Sequence, residues 1–335
     1  MDPVTALLST TITAYSPKMT ENILTNNGLL WLFRRANMKS GGVDMENAPN
    51  GEGSEGYKII EGGSSWSEAL MYGKNSTIKT YGVQADYDTD IQEGMSHAKF
   101  EQKVAGGTVV FTDLQDKQNR GVSAIYPLIE EKMTQAEISL QDLMGAQLFG
   151  DGTGNSGDDI GGLQLLVADS PLTGTVGGID RATYSWWRNQ YSASSVSAFN
   201  TSKAGIKAMG AMWLKCKKQA SAPNIIVTTD DIWALYAAEL EDKLDFRLQD
   251  ADAADAGFTN VKYRKATVIS DDNCPASHMY FLNTKYIFIK VLNGGNFQVT
   301  DIEKRMNKRI ACLNWYGNMT ISNAQRLGVL TRITG

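Results

Sequence analysis

Histidine is almost absent from this chain: His97 and His278 are the two copies in 335 residues, and they stand far apart. A metal site or acid–base centre built on imidazole has to use one of them. Cys274 and His278 are four positions apart. No second Cys/His pair accompanies them, so a loop histidine beside a structural thiol is the simpler reading. Neither histidine has a nucleophile motif around it, and Gly-x-Ser-x-Gly does not occur. Cysteine is scarce too. Cys216, Cys274 and Cys312 are odd in number and widely spaced, poor material for a disulfide framework and in keeping with a reducing cytoplasm. No stretch approaches ~18 consecutive apolar residues, so no membrane span is expected. The first residues lack a basic region followed by an apolar run, which argues against a secretory signal. Basic excess is missing as well: 32 Lys and Arg face 37 Asp and Glu, a net charge of −5. That balance disfavours a protein whose main task is to neutralise phosphate.

What is present is enough chain for a substantial core, with length that permits two domains. The 32 glycines cluster in Gly41–Gly63, Gly150–Gly162 and Gly174–Gly178 and mark loops rather than low complexity. The segment from Ile125 to Gly154 is the most informative. Ile125, Leu128, Ile129, Met133, Ala136, Leu140, Leu143, Met144 and Leu148 recur at three- and four-residue steps, the stripe of an amphipathic helix. Pro127 suits its first turn and Gly150 its stop. At ~1.5 Å per residue the rod is roughly 35 Å long. Leu143 falls on the stripe, so Leu143→Asp is expected to prevent soluble folding by driving charge into an apolar seam.

Upstream, Thr5 to Asn37 is mostly helical in pattern, broken near Ser16-Pro17 and at Asn26-Asn27-Gly28. The block from Leu29 to Phe33 needs either a partner surface or the chain's own core. Met38 to about Gly56 has loop composition. Tyr57–Glu61 reads as a strand. A second strand is expected over Ile78–Tyr87, where Tyr81, Val83, Ala85 and Tyr87 alternate with polar or small residues. Together they suggest an extended hairpin that has to lie on something. Ala98, Phe100, Gln102 and Val104 predict one further strand, and Val109–Phe111 another. After the long helix comes an α/β pattern. It comprises a helix over Ser202–Ala220, a strand over Asn224–Thr228 and a helix from Asp230 to Leu240 with Thr229 placed to cap it. Strands follow at Ala266–Ser270, Met279–Leu282 and Tyr286–Leu292. Arg309–Tyr316 and Met319–Asn323 flank Gly317-Asn318, a two-residue hairpin signal.

Catalytic constellations do not emerge. Gly152 to Gly157 matches G-x-G-x-x-G formally, but that motif needs a strand before it and a helix N-terminus after it. Here a helix precedes, and Asp158-Asp159 puts negative charge where a pyrophosphate would sit. Calcium around Asp151, Thr153, Asn155, Asp158 and Asp159 would lack the twelfth-position glutamate, so a solvated turn is the better reading. Glu130, Glu131 and Glu137 read as a solvated helix face beside Lys132. Trp186-Trp187-Arg188 is either buried packing or an aromatic–arginine interface anchor. Lys304-Arg305 and Lys308-Arg309 could touch phosphate, yet Asp301 and Glu303 adjoin them.

In order and motif the chain resembles the major capsid proteins of tailed bacteriophages, which share the Hong Kong ninety-seven type shell fold. Asn26-Asn27-Gly28-Leu29-Leu30-Trp31-Leu32 looks like the end of that family's N-terminal arm. Gly41-Gly42 onward, to about Gln102, looks like its extended loop. Asn119-Arg120-Gly121 leading into Ile125–Phe149 and Gly150-Asp151-Gly152 is similar to its spine helix and exit. Ile160 to Leu163 resembles the strand entering its axial domain, and Trp186 to Asn189 a feature of one branch. Trp315 to Met319, Ser322-Asn323, Arg326 and Gly328 to Leu330 resemble that branch's closing strands. The resemblance implies an α+β fold with an N-terminal arm (1–40), an extended loop (41–97) and a peripheral domain with the spine helix (98–162, helix about 125–149). An axial domain (163–300) follows, and C-terminal strands (301–335) return to the peripheral domain.

The same resemblance implies a structural shell subunit in the virion, assembled in the host cytoplasm around packaged double-stranded DNA, with no enzymatic activity, no cofactor and no metal. Its partners would be its own copies in pentamers and hexamers, a separate scaffolding protein, a portal and decoration proteins, with non-specific DNA contacts and no membrane. The chain starts directly at the arm, which implies a separate scaffold or a prefix already removed. A lysine–asparagine crosslinking pair is not identifiable, so a non-covalent shell is expected. Candidate assembly residues are Trp31, Arg34, Arg35, Tyr57, Trp66, Tyr72, Tyr81, Arg120, Glu130, Glu131 and Arg188. Independently, a long hairpin leaves edges that neighbouring copies can cover. The alternatives are a soluble α/β hydrolase using carboxylates such as Asp158 or Asp230, and a DNA-binding module.

Overall fold

The computed structural model describes residues 27–30, 57–112, 114–115, 128–192, 196, 199, 203–219, 221–241, 261–300 and 303–335. The strands among them are β1 (Tyr57–Ile60), β2 (Ser65–Met71), β3 (Met95–Glu101), β4 (Lys103–Thr112), β5 (Thr175–Val176), β6 (Ile179–Asp180), β7 (Gln190–Tyr191), β8 (Ile225–Thr228), β9 (Val261–Tyr263), β10 (Ala266–Ser270), β11 (Met279–Leu282), β12 (Ile287–Leu292), β13 (Gln298–Val299), β14 (Glu303–Arg305), β15 (Lys308–Ile321) and β16 (Gly328–Leu330). The longer helices are α1 (Leu128–Leu148), α2 (Ala204–Cys216) and α3 (Asp230–Glu241).

Two sheets of six strands organise the chain. In the first, β15 is the axis. One of its edges pairs antiparallel with β4 from Lys308↔Thr112 to Gly317↔Lys103. Its other edge takes β14, β13 and β12 in turn, and β1 adds parallel to β12. The second sheet runs β7-β16-β11-β8-β10-β9. β8 and β11 are buried at every position, because this sheet is covered on both faces, and their continuous apolar runs are the sequence of such strands. Ile225, Val227, Tyr280 and Leu282 join the core shared with the first sheet and α1. Ile226, Met279 and Phe281 face the opposite way, into a second core with Met209, Met212 and Trp213 of α2 and Ile232 and Tyr236 of α3.

The helix expected over 125–149 is found as α1, but its stripe is narrower than its periodicity. Leu140, Met144 and Leu148 are buried, whereas Leu143 is 44% exposed. Leu140, Met144 and Leu148 follow one i, i+4 row onto the sheet, and Leu143 falls to the side of it. The expected block on folding by Leu143→Asp is therefore withdrawn.

The strand expected over Ile78–Tyr87 is absent; the hairpin's strands are β2 and β3. Alternation alone does not make a strand without a partner, and in this segment the Tyr81 hydroxyl ties the chain into a local turn instead. It donates to the Thr77 carbonyl (2.6 Å) and accepts from the Asp88 N–H (3.0 Å). Nor is Gly317-Asn318 a turn, since β15 runs straight through it. Gly317 is required by crowding: a Cβ there would lie 2.5 Å from the Trp315 ring and 2.7 Å from the Lys290 carbonyl oxygen. Asn318 accepts from the Gly161 N–H and donates to the Glu101 carbonyl. The single strand expected through Ala98–Val104 is interrupted at Gln102, where the chain leaves β2 as partner and joins β15. The two sheets draw strands from distant parts of the chain. β12 belongs with β15, while β16 belongs between β7 and β11.

Candidate assembly surface

The hairpin β2–β3 has a fixed base. Trp66, Leu70, Ala98 and Phe100 are its buried face, and the turn between β5 and β6 closes over them. The Lys99 N–H donates to the Gly177 carbonyl (2.9 Å). A Cβ at Gly177, whose φ is +60°, would meet the Ala98 Cβ at 2.8 Å, so glycine is the residue that allows this approach. Trp187 is buried and donates to the Val176 carbonyl (2.9 Å). Trp186 stacks on Tyr72 with ring centroids 4.9 Å apart.

Glu68 adds an electrostatic anchor. Its position between Trp66 and Leu70 on a period of two puts it on the inward face, a sequence signal that the candidate residues above did not use. It forms a buried ion pair with Lys290 of β12 (2.5 Å) and accepts from Thr320 of β15 (3.0 Å). Lys58 of β1 completes the group, with its ammonium 3.7 Å from the Phe288 ring centroid. Burial pulls the Lys58 pKa below the ordinary lysine value, with Glu68 opposing and Lys290 reinforcing the shift.

Beyond this base the tip, residues 72–94, makes no strand. Ile78, Val83, Tyr87 and Ile91 are 82%, 106%, 78% and 96% exposed, with Met71 and Met95 at 79% where the paired strands end. One segment thus carries six large apolar side chains left unburied among the described residues.

A cleft of about 440 Å³ lies between α1 and β4, with Leu313 of β15 and Leu140 of α1 also lining it. Gly106 to Val110 form one wall, and Lys132, Gln135, Ala136, Ser139 and Leu143 the other. Among the described residues β4 pairs only with β15, and a Cβ at Gly107 would meet nothing within 4 Å. Among the described residues no second strand pairs with the other edge of β4, and Lys132 donates to its Val110 carbonyl (3.2 Å).

The block from Leu29 onward splits between two answers. Leu29 and Leu30 are buried in the chain's own core. They are held by the Leu29 N–H on Asp271 (2.8 Å), while Asn27 links Asn273 to Asp142 of α1 (2.7 and 3.1 Å). Burial raises Asp271 to about 6 against the hydrogen bonds that favour its charged form. Trp31, Arg34, Arg35 and Arg120 lie outside the described residues, as do the side chains of Tyr57 and Glu130. Trp66 is 3% exposed and Tyr72 40%; Tyr81, Glu131 and Arg188 are half-buried. Arg188 donates to the Arg181 and Ala182 carbonyls (2.6 and 2.7 Å).

The chemical candidates are not assembled. Asp158 follows the turn Gly154–Gly157 and Asp230 opens α3; neither lines the cleft. Both His278 ring nitrogens are engaged, by Asp169 (2.9 Å) and by the Ala276 carbonyl (2.6 Å). The Asp169 contact, first among the causes, raises the His278 pKa. Cys274 reaches the His278 carbonyl rather than its ring, and burial pushes its thiol pKa up. Among the described residues no group of three His, Cys, Asp or Glu side chains could hold a metal ion, and no helix is long and apolar enough to cross a membrane.

This architecture is shared with proteins that build shells. The chain superimposes on the capsid protein of cyanophage A-1(L) with a TM-score of 0.64 at 17% identity, covering 97% of each chain. It matches the capsid of the empty GTA particle at TM-score 0.60 and 10% identity, with 96% of each chain covered. The SrpI encapsulin of Synechococcus elongatus gives 0.56 at 10% identity, over 99% of this chain and 96% of that one. No family model and no curated protein matches the sequence. The likeness is one of fold, and the mixed helix-and-sheet architecture implied by the capsid resemblance is the one found.

Proposed function

We propose that this chain is the structural subunit of an icosahedral virion shell enclosing double-stranded DNA, assembled from many copies of itself. The observation that carries the reading is the hairpin tip: four large apolar side chains at least 78% exposed, on a base locked into the body. Exposed apolar surface of that extent costs free energy until another surface covers it. The fold shared over almost the whole chain with capsid proteins supplies the context. On this reading, residues 1–40 are the N-terminal arm and 41–97 the extended loop. α1 is the spine helix, the first sheet belongs to the peripheral domain and the second to the axial domain.

The tip of one copy covers part of a neighbour, and the α1/β4 cleft is the receiving surface. Tyr72, Tyr81, Glu131 and Arg188, with Trp31, Arg34, Arg35 and Arg120, belong to this set of contacts. The shell is non-covalent and has no catalytic role, and its further partners are a scaffolding protein, a portal and decoration proteins. Head assembly takes place in the host cytoplasm. Negative-stain microscopy with analytical ultracentrifugation of the expressed chain should give closed polyhedral particles or capsomers. A monomer that persists at high concentration overturns the reading.

A further inference from the structure

Helix α2 and the β9–β10 turn concentrate positive charge where their local structure does not favour it. From Lys203 to Lys218 there are five lysines and no carboxylate, in a chain of net charge −5. Lys203, Lys207, Leu214 and Lys217 are exposed. With Gly210 they follow one another at steps of four, three, four and three, so they share one stripe along the helix. The opposite stripe, with Met209, Met212, Trp213 and Cys216, is buried in the second core. Lys203 stands at the N-cap with φ +60° and makes no side-chain cap hydrogen bond. That position favours Asn, Asp, Ser or Thr, and the helix dipole disfavours a cation there. Lys215, to one side of the stripe, donates to the Tyr191 carbonyl (3.2 Å).

The fold brings a further pair of cations to this helix. Tyr263 pairs with Ala266, so β9 and β10 are joined by the two-residue turn Arg264-Lys265, and both turn residues are exposed. Arg264 holds φ +55°, a conformation for which hairpin turns ordinarily use Asn, Asp or Gly. Its guanidinium carbon lies 5.8 Å from the Trp213 ring centroid and 5.5 Å from that of Tyr263, within reach of both ring faces. The two rings meet edge-on at 5.9 Å. A Cβ at Gly210 would lie 3.2 Å from the Tyr263 hydroxyl, so the helix passes close to the turn. α3 also meets Tyr263, through Tyr236 (6.4 Å), and carries the acidic residues Asp230, Asp231 and Glu239; the cations belong to α2 and the turn. Two positions whose backbone favours other residue types are thus held by cations on adjoining elements. Such local departures are expected at functional sites.

We propose that this face, with Lys203, Lys207 and Lys217 on the α2 stripe and Arg264 and Lys265 on the turn, binds the phosphate backbone of double-stranded DNA without regard to sequence. The proposal rests on the shell-subunit reading, whose enclosed polyanion is DNA, and deepens it: the α2 side of the second sheet is the side turned to the genome. At ~1.5 Å per residue the stripe is roughly 20 Å long, and a duplex presents a charge about every 1.7 Å of its axis, so these cations meet phosphates in any register. An acidic protein segment would need apolar anchors as well as charge, and Leu214 is the one large apolar side chain exposed on the stripe.

Binding of a fluorescent mixed-sequence DNA duplex to the full chain, followed by anisotropy across a salt series, tests it. The parent chain should show a log–log salt slope of about −3 to −5. Lys207→Gln with Lys217→Gln should weaken binding at least about tenfold at ~100 mM salt and make the slope shallower by about 2. Lys203→Asn with Arg264→Gly supplies the residue type that each backbone conformation favours. In that variant the thermal midpoint should hold or rise while affinity falls by a similar factor; a purely structural role for these two cations would lower the midpoint and leave affinity alone. Particle yield by sedimentation should stay within about threefold of the parent's in both variants. No binding by the parent chain, or unchanged affinity and slope in either variant, overturns the site. So does displacement of the duplex by polyglutamate as readily as by unlabelled DNA, which would assign the face to an acidic protein. Loss of particles at unchanged DNA affinity overturns it as well, making the face a contact between copies. A chain that binds the duplex through these residues and never assembles overturns the shell reading and leaves the site standing.

Discussion

In the lower half of the hairpin, Trp66, Leu70, Ala98 and Phe100 are at most 6% exposed; in its upper half, Ile78, Val83, Tyr87 and Ile91 are at least 78% exposed. Both halves carry large apolar residues. The difference lies in what each half meets. The lower half finds the β5–β6 turn, Trp187 and a buried ion pair, so its apolar face is satisfied inside the chain. The upper half finds nothing of comparable area among the described residues. Apolar side chains are therefore satisfied inside the chain in one place and left exposed in the other, and on the proposed reading stability and assembly should respond separately to substitution.

The largest effect on stability belongs to the base. Glu68→Ala leaves Lys290 buried without its counter-charge and is expected to cost about 3–5 kcal/mol in a denaturant titration. A loss below about 1 kcal/mol would place the anchoring of the hairpin in its apolar contacts alone.

The clamp on Leu29 gives a smaller, pH-dependent term. Asp271 is raised from 3.8 to about 6 in the folded chain. Folding thus favours its protonated form, and the favourable contribution is complete below about pH 3.8 and lost as pH rises through about 6. The chain should be about 1–2 kcal/mol more stable at pH 5 than at pH 7.5 from this group. Asp271→Asn should flatten that part of the profile; an unchanged slope assigns it to other carboxylates.

The smallest effect on stability, and the largest on assembly, belongs to the tip and its receiving cleft. Replacing Ile78, Val83 and Ile91 by serine, or Leu143 by aspartate, should change unfolding free energy by no more than about 0.5 kcal/mol. The same changes should abolish particles in the microscope. Particles from the triple-serine variant would remove the tip from the assembly surface.

Much of this architecture could be read from the sequence because burial and periodicity coincide in it. β10 and β11 match their expected spans, since strands covered on both faces announce themselves as short apolar runs between turn residues. The long helix is similarly legible. The errors share a cause: a local pattern was read without its neighbour. Gly317-Asn318 has turn chemistry, but the Trp315 ring and the Lys290 carbonyl demanded glycine within a strand. Ile78–Tyr87 has strand chemistry, but a strand needs a partner and none pairs with it among the described residues. Leu143 obeys the helical period and still faces the cleft, to one side of the Leu140, Met144 and Leu148 row that enters the core. Asp271 and its clamp on Leu29 were beyond reach, since that contact joins positions 242 residues apart.

The order in which the strands are synthesised has a consequence of its own. β15 is the axis of the first sheet, β16 fills the gap between β7 and β11 in the second, and both come from the final stretch of this sequence. A nascent polypeptide that stops short of Lys308 can finish neither sheet, so Lys290 and Thr320 cannot both hold Glu68 and the hairpin base stays loose. A chain cut short there therefore lacks the rigid platform that carries the exposed tip.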